Sequence, residues 1–243
     1  MSTYQLFKYS LHLADNSLIL GQRNAEWTGH GPVLEQDIAI TNISLDLIGQ
    51  ARNFFQYAAL VYNNASEAEQ KEMDQYVPRL WKNFNRELQE DDLAFLRDEN
   101  QYLNLLITEL PKGDWAFTVL KQFFFSAYQH LLFEQMQESS DAQLSAIAEK
   151  SIKETAYHLR WSSEWVIRLG DGTEESNRRI NDALKELWMF TGEMFTTEEY
   201  DLIKNDTLKQ RWLDKVTSVF QQAMLALPAT TWMQSGGKQG NHT

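Results

Sequence analysis

The stretch SLDLIGQARNFF, Ser44 to Phe55, lies inside an apolar run of helical period, and its polar residues decide what kind of helix that is. The run spans about Val33 to Tyr62. One stripe carries Ile40, Ile43, Leu47, Ala51, Phe54, Ala58 and Val61; a second carries Leu34, Ile38, Leu45, Ile48 and Phe55. Side chains three and four residues apart share a helix face, so two stripes predict a helix buried on most sides, an inner member of a bundle. Asp46, Gln50 and Arg52 interrupt that pattern where a plain core helix carries aliphatic residues. Three readings follow: a metal or catalytic helix, a helix whose ligands have gone, or a core helix with ordinary polar edges.

The flanking sequence repeats the helical period. Phe7, Leu11, Ala14, Leu18, Gly21 and Ala25 line one face of a segment from about Tyr4 to Trp27, which ends at Gly29-His30-Gly31-Pro32. Asn63 to Glu72 reads as a turn and a short helix, closed before Pro78 because the residue preceding a proline is pushed out of the α region. Phe84 to Glu109 is expected to be helical, with irregularity near Asn100. Asp114 is a candidate N-cap for the aromatic segment Trp115 to Glu138, and Ser139-Ser140-Asp141 caps a long helix from Ala142 to Leu169. Gly170-Asp171-Gly172-Thr173 combines a C-cap glycine with a new N-cap, ahead of helices at about Glu174 to Thr191 and Asp206 to Leu227. Sustained period-two alternation is absent. The expectation is a single all-α domain over residues 1–234, four long antiparallel helices with additional C-terminal helices, and a disordered polar tail at 235–243.

Composition narrows the chemistry. The 243 residues include no cysteine, which excludes disulfides, a cysteine–zinc site, an iron–sulfur cluster or a thiol nucleophile in this chain. The formal charge of −12, from 22 basic and 34 acidic residues, has no basic stripe to override it and argues against nucleic-acid binding. The start MSTYQLFKYS is unlike a signal peptide, and no window approaches the ~18 apolar residues of a membrane span; the expected location is the cytoplasm.

A bundle of four long helices can hold two metal ions between a carboxylate from each of two helices and Glu-x-x-His from each of the others. Near misses stand at both motif positions. Leu47-Ile48-Gly49-Gln50 has leucine for the carboxylate and glutamine for the imidazole, while Thr155 stands three residues before His158 and Glu154 is displaced by one. A second possibility is a mononuclear site from His130, Glu134, Glu154 and His158, with His12 and Asp15 joining from the first helix.

Several long motifs carry a resemblance: Asn16 to Arg23, Glu26 to Pro32, Asp46 to Arg52, Tyr157 to Arg160 and Glu164 to Ser176. Over nearly its whole length the chain resembles the structural, non-catalytic subunits of phenylacetyl-CoA epoxidases, the ring 1,2-epoxidases of bacterial phenylacetate degradation. The resemblance implies a ferritin-like fold. It also implies a homologous catalytic partner subunit that holds a di-iron centre and epoxidises the aromatic ring with O₂. A reductase component with NADPH, FAD and an iron–sulfur centre supplies electrons. Carried over from the sister subunit, the iron-ligand positions fall at Leu18, Leu47, Gln50, Ser126, Thr155 and His158. Only His158 keeps a ligand-type side chain, so this chain is expected to hold no metal or cofactor. It would serve as a scaffold in a hetero-oligomer, with a homodimer as a further possibility when it is alone. Losing the carboxylates would spare the core unpaired buried charge. The rival reading is a ferritin-like oxygenase or oxidase built on His130, Glu134, Glu154 and His158.

Other features are open to blander readings. Trp161, Trp165, Trp188, Trp212 and Trp232 could mark a partner surface or pack the core. The Glu26 to Pro32 loop could dock a partner or only reverse the chain. Lys71, Arg79 and Lys82 could meet the phosphates of CoA, or form a solvated helix face.

Overall fold

The computed structural model describes residues 1–203 and 206–243. Helix α1, Thr3–Ala25, opens on a capping box in which the Gln5 amide donates to Ser2 Oγ at 3.1 Å and the Ser2 amide to Gln5 Oε1 at 3.0 Å. A tight reversal leads to α2, Leu34–Asn64. Asp37 fastens it, accepting from the Gly31 and Gly29 amides at 2.8 and 3.1 Å; those bonds hold its carboxyl below the usual range. Then follow α3 (Glu67–Met73), α4 (Glu90–Phe95), α5 (Leu106–Glu109), α6 (Trp115–Met136), α7 (Ala142–Gly170), α8 (Glu174–Leu187) and α9 (Asp206–Gln222). The expected caps are present: the Phe117, Leu144 and Ser176 amides donate to Asp114, Asp141 and Thr173.

Helices α1, α2, α7 and α6 form a ring around one apolar core, with α8 and α9 packed on the α6–α7 side. Glycine sets two of the approaches. A methyl group at Gly21 would lie 3.2 Å from Ile48 Cγ1 and 3.3 Å from Leu47 Cβ, where α1 meets α2. At Gly170 it would lie 2.1 Å from the Ala223 carbonyl oxygen. Gly170 is the last residue of α7 and serves close approach of the following chain, not the left-handed cap expected of it.

Three expectations need correction. The second stripe of α2 is not all buried: Phe55 is, but Leu34, Ile38, Leu45 and Ile48 are exposed. Periodicity registers apolar character and cannot say whether the cover comes from this chain. Residues 84–109 do not form a long helix, but run as α4, a 3₁₀ turn at Glu99–Gln101 and α5. Their backbone groups are taken by side chains of other segments: Leu103 and Leu105 amides donate to Asp15 and Asn16 of α1, and the Leu106 amide to Glu193. The tail is docked, not disordered. Lys238 is buried with its ammonium on Asp201 at 2.6 Å and the Thr196 carbonyl at 2.8 Å, and the Gly236 amide donates to Glu193. Gly236 and Gly240 have φ of 141° and 79°, and a methyl at Gly237 would strike the Asn104 carbonyl oxygen at 2.2 Å. A composition that reads as flexible is here what lets the backbone approach closely. No helix among the described residues is long and apolar enough to cross a membrane.

Gly170→Ala should destabilise the chain by about 1–3 kcal/mol, because a backbone carbonyl cannot swing aside as a side chain can. Gly49→Ala, where an added methyl meets nothing within 4 Å, should stabilise it by up to about 1 kcal/mol. Denaturant midpoints of the two variants check both signs.

Candidate functional site

At the centre of the ring one polar side chain from each of the four helices joins a single relay. Gln129 of α6 donates to Ser17 Oγ of α1 at 3.3 Å and to Gln50 Oε1 of α2 at 3.0 Å; Gln50 Nε2 donates to Glu154 Oε2 of α7 at 2.8 Å. Ser17, Gln50 and Gln129 are buried, and Glu154 is half-buried at the rim. Beside it, between α1 and α6, Asn24 donates to Gln122 at 2.6 Å and Gln122 to Ser126 at 2.8 Å. One turn along α2 and α7, His158 Nε2 lies 3.0 Å from Asp46 Oδ2, a second rung parallel to Gln50–Glu154. The opposite ring nitrogen of His158, Nδ1, is buried and has no hydrogen-bond partner.

The six positions carried over from the resemblance are all buried, but they do not form one cluster of donors. Leu18 and Leu47 pack in the apolar core. Gln50 belongs to the relay, Ser126 accepts from Gln122, and His158 faces Asp46. The Thr155 hydroxyl donates to the Ile152 carbonyl at 3.0 Å, so it accepts from His130 Nδ1 at 3.1 Å. The mononuclear alternative is also split among partners. His130 Nε2 does lie 3.6 Å from Glu134, but His130 Nδ1 is taken by Thr155, Glu134 by Arg211 at 2.7 Å, Glu154 by Gln50 and His158 by Asp46, so the four do not converge. Among the described residues no group of three or more His, Asp and Glu side chains is arranged to hold a metal ion. The donor set is amide, hydroxyl and one imidazole, a poor match for a carboxylate-bridged iron pair.

His12 and Asp15 are committed elsewhere. Asp15 forms a bidentate ion pair with Arg97, both side chains fully buried, and accepts the Leu103 amide at 2.9 Å. Burial pushes its carboxyl up against the opposing pull of the guanidinium. His12 Nδ1 lies 2.6 Å from the Leu103 carbonyl, and burial draws its pKa down to about 4, with Lys238 adding to the shift. His12 is therefore neutral near pH 7, and Nδ1 carries the proton given to Leu103.

The remaining candidates also resolve. Trp161, Trp188 and Trp212 are buried in the core, Trp165 meets Trp115 edge-on at 6.0 Å, and Trp232 is exposed. Trp27 of the Glu26–Pro32 loop donates to Thr118 at 2.9 Å and packs on Trp115, which ties the loop to α6. Arg79 and Lys82 share a shallow depression with Asp74 and Asp98, and Lys82 is bound to Asp74 at 2.8 Å, so that basic group is already countered. Sequence reasoning missed Ser17, Asn24, Gln122 and Gln129. The signal for the last two was there: two glutamines seven residues apart inside the most aromatic helix.

Gln50→Ala should cost about 1–3 kcal/mol, since it leaves the Gln129 amide and the inner Glu154 oxygen without their partner. His12 should make the chain acid-sensitive. Its folded pKa lies below that of the unfolded chain, so its stabilisation is complete above about 6.5 and is lost as pH falls towards 4, up to about 3 kcal/mol. Urea melts of wild type and His12→Asn across pH 4–7 should converge at the acid end.

Comparison with known proteins gives the family. Residues 1–243 match the family profile described as phenylacetic acid catabolic protein. The chain is 42% identical over 247 residues to one of the subunits of the 1,2-phenylacetyl-CoA epoxidase of Escherichia coli (strain K12), an alignment covering 98% of this chain and 90% of that protein. With an all-helical ring of four long helices and a match along its full length, the chain belongs to the phenylacetic acid catabolic protein family and has its ferritin-like fold.

Proposed function

We propose that this chain is a non-catalytic, structural subunit of a phenylacetyl-CoA 1,2-epoxidase in aerobic phenylacetate degradation. The observation that carries this reading is the relay Ser17–Gln129–Gln50–Glu154, which fills the centre of the bundle with two neutral amides and a hydroxyl and ends on a single carboxylate at the rim. Activating O₂ at a di-iron centre takes two metals with open positions and bridging carboxylates. Here the inward positions of α2 are Leu47 and Gln50, and the two carboxylates nearby, Asp46 and Glu154, sit at the rim facing His158 and Gln50.

The kinship with an epoxidase subunit supports a place in phenylacetate catabolism within an oxygenase complex. The partner in that complex is a homologous di-iron subunit that carries out the ring epoxidation, with electrons from a reductase that uses NADPH, FAD and an iron–sulfur centre. This chain would stabilise the catalytic subunit, cover one of its flanks and keep the complex together in the cytoplasm. No metal chemistry is assigned to it.

Iron analysis tests the assignment. The chain produced alone in iron-replete cells and purified without chelators should contain almost no iron, whereas the co-purified complex should contain about two irons per catalytic subunit. Stoichiometric iron in the lone chain, lost on substitution of His130 or His158, would instead establish the oxidase reading.

A further inference from the structure

The outer face of α2 is the least explained surface of the molecule. Leu34, Ile38, Leu45, Ile48 and Leu60 are 72, 51, 61, 39 and 53% exposed and recur along one side of the helix. Between Leu34 and Gly49 that line carries no charged residue, in a chain of which 23% is charged. Five aliphatic side chains at this exposure leave on the order of 500 Å² of apolar surface, near the upper end for a monomer and about what the core of a standard ~800 Å² half-interface needs.

Gly49 adds an independent observation. It lies on the same side of α2, in the helix interior, is exposed, and an added methyl there would meet nothing within 4 Å. Nothing in this chain calls for glycine, which weakens a helix interior relative to alanine. A small residue in the middle of an apolar stripe does serve one purpose, which is to let a second helix backbone approach closely at the crossing point.

We infer that the outer face of α2, from Leu34 to Leu60 with Gly49 at the crossing, is the surface on which a second all-helical subunit docks. The inference rests on the structural-subunit reading and identifies the face it uses. The stripe is ~39 Å long at the helical rise, a convex ridge that fits the groove between two helices of another bundle better than a short peptide or a loop. A second copy of this chain is less suited, because each copy brings a net charge of −12. On the structural-subunit reading, the partner is the catalytic helical subunit. Leu45 and Ile48 would enter its groove, and Arg52, drawn to Glu90 at 3.3 Å, would lie within the contact between Ile48 and Leu60.

The test is binding of the purified chain to the catalytic di-iron subunit, with circular dichroism and thermal melts of each lone variant alongside. Ile38→Asp and Leu45→Asp should each weaken the complex tenfold or more without unfolding the chain, since both side chains are already in solvent. Gly49→Leu should weaken it as much while the melting temperature of the lone chain stays level or rises, a combination that a loss of folding cannot produce. Met224→Asp, at a position 75% exposed outside the stripe, should leave binding unchanged. If wild type binds and all three stripe variants bind equally well, the face is wrong and the structural-subunit reading stands. If wild type does not bind the catalytic subunit at all, that reading falls and the docking face falls with it. If the stripe variants only break up self-association of this chain, a second copy is the occupant and the stated partner is overturned.

Discussion

The buried ion pair of Asp15 with Arg97 fixes the least regular stretch of the chain, between α2 and α6, to its most regular part. Asp15 projects from the middle of α1 and holds both Arg97 and the Leu103 amide; Arg97 in turn donates to the Leu93 and Gln101 carbonyls. Its guanidinium also lies 4.2 Å from the Tyr102 ring centroid. A pair taken fully out of water repays its desolvation only when every remaining donor and acceptor is matched, and here the matching groups come from the backbone of residues 93–103. The path of that segment is thereby set by polar satisfaction, with apolar packing following. Glu193 plays the same part on the C-terminal side, gathering the Leu106, Gly236 and Lys238 amides on one carboxylate.

The central relay obeys the same constraint with weaker groups. Four helices converge on the relay, and this chain supplies two glutamines, a serine and a rim glutamate there. An amide can donate and accept at once, so Gln50 can bridge Gln129 and Glu154 without carrying charge into the core. The pattern is incomplete: Gln129 Oε1, His158 Nδ1 and Ser151 Oγ have no partner in the protein. Each lies on the inner side of α6 or α7, and an unmatched amide or hydroxyl there costs far less than an unmatched carboxylate.

Much of the fold was legible because it rests on period and caps. Phe7 to Leu20, Ile40 to Val61 and the turns at Asp114, Asp141 and Thr173 are local signals, and the helices begin where those residues stand. The stretch from Phe84 to Glu109 misled because its apolar spacing suits a helix, whereas its amides are claimed by Asp15, Asn16 and Glu193, residues as far as 89 positions away. The tail misled for a related reason: Lys238 looks like a solvated charge until Asp201 and the Thr196 carbonyl are seen around it. Of the site, Leu47 and Gln50 were singled out by spacing alone, and both are buried on the inner side of α2. The partners that complete them, Ser17 and Gln129, lie 33 and 79 residues from Gln50 and share no local motif with it.

The amide relay bears on the order in which an assembly of this kind can be put together. A core lined with carboxylates holds mutually repelling charges until metal arrives, and its folding is linked to the supply of that metal. A core closed by Gln129, Gln50 and Ser17 carries no such charge at its centre. On the structural-subunit reading, such a chain can reach its final shape during iron starvation and wait, folded, with a finished surface for its neighbour.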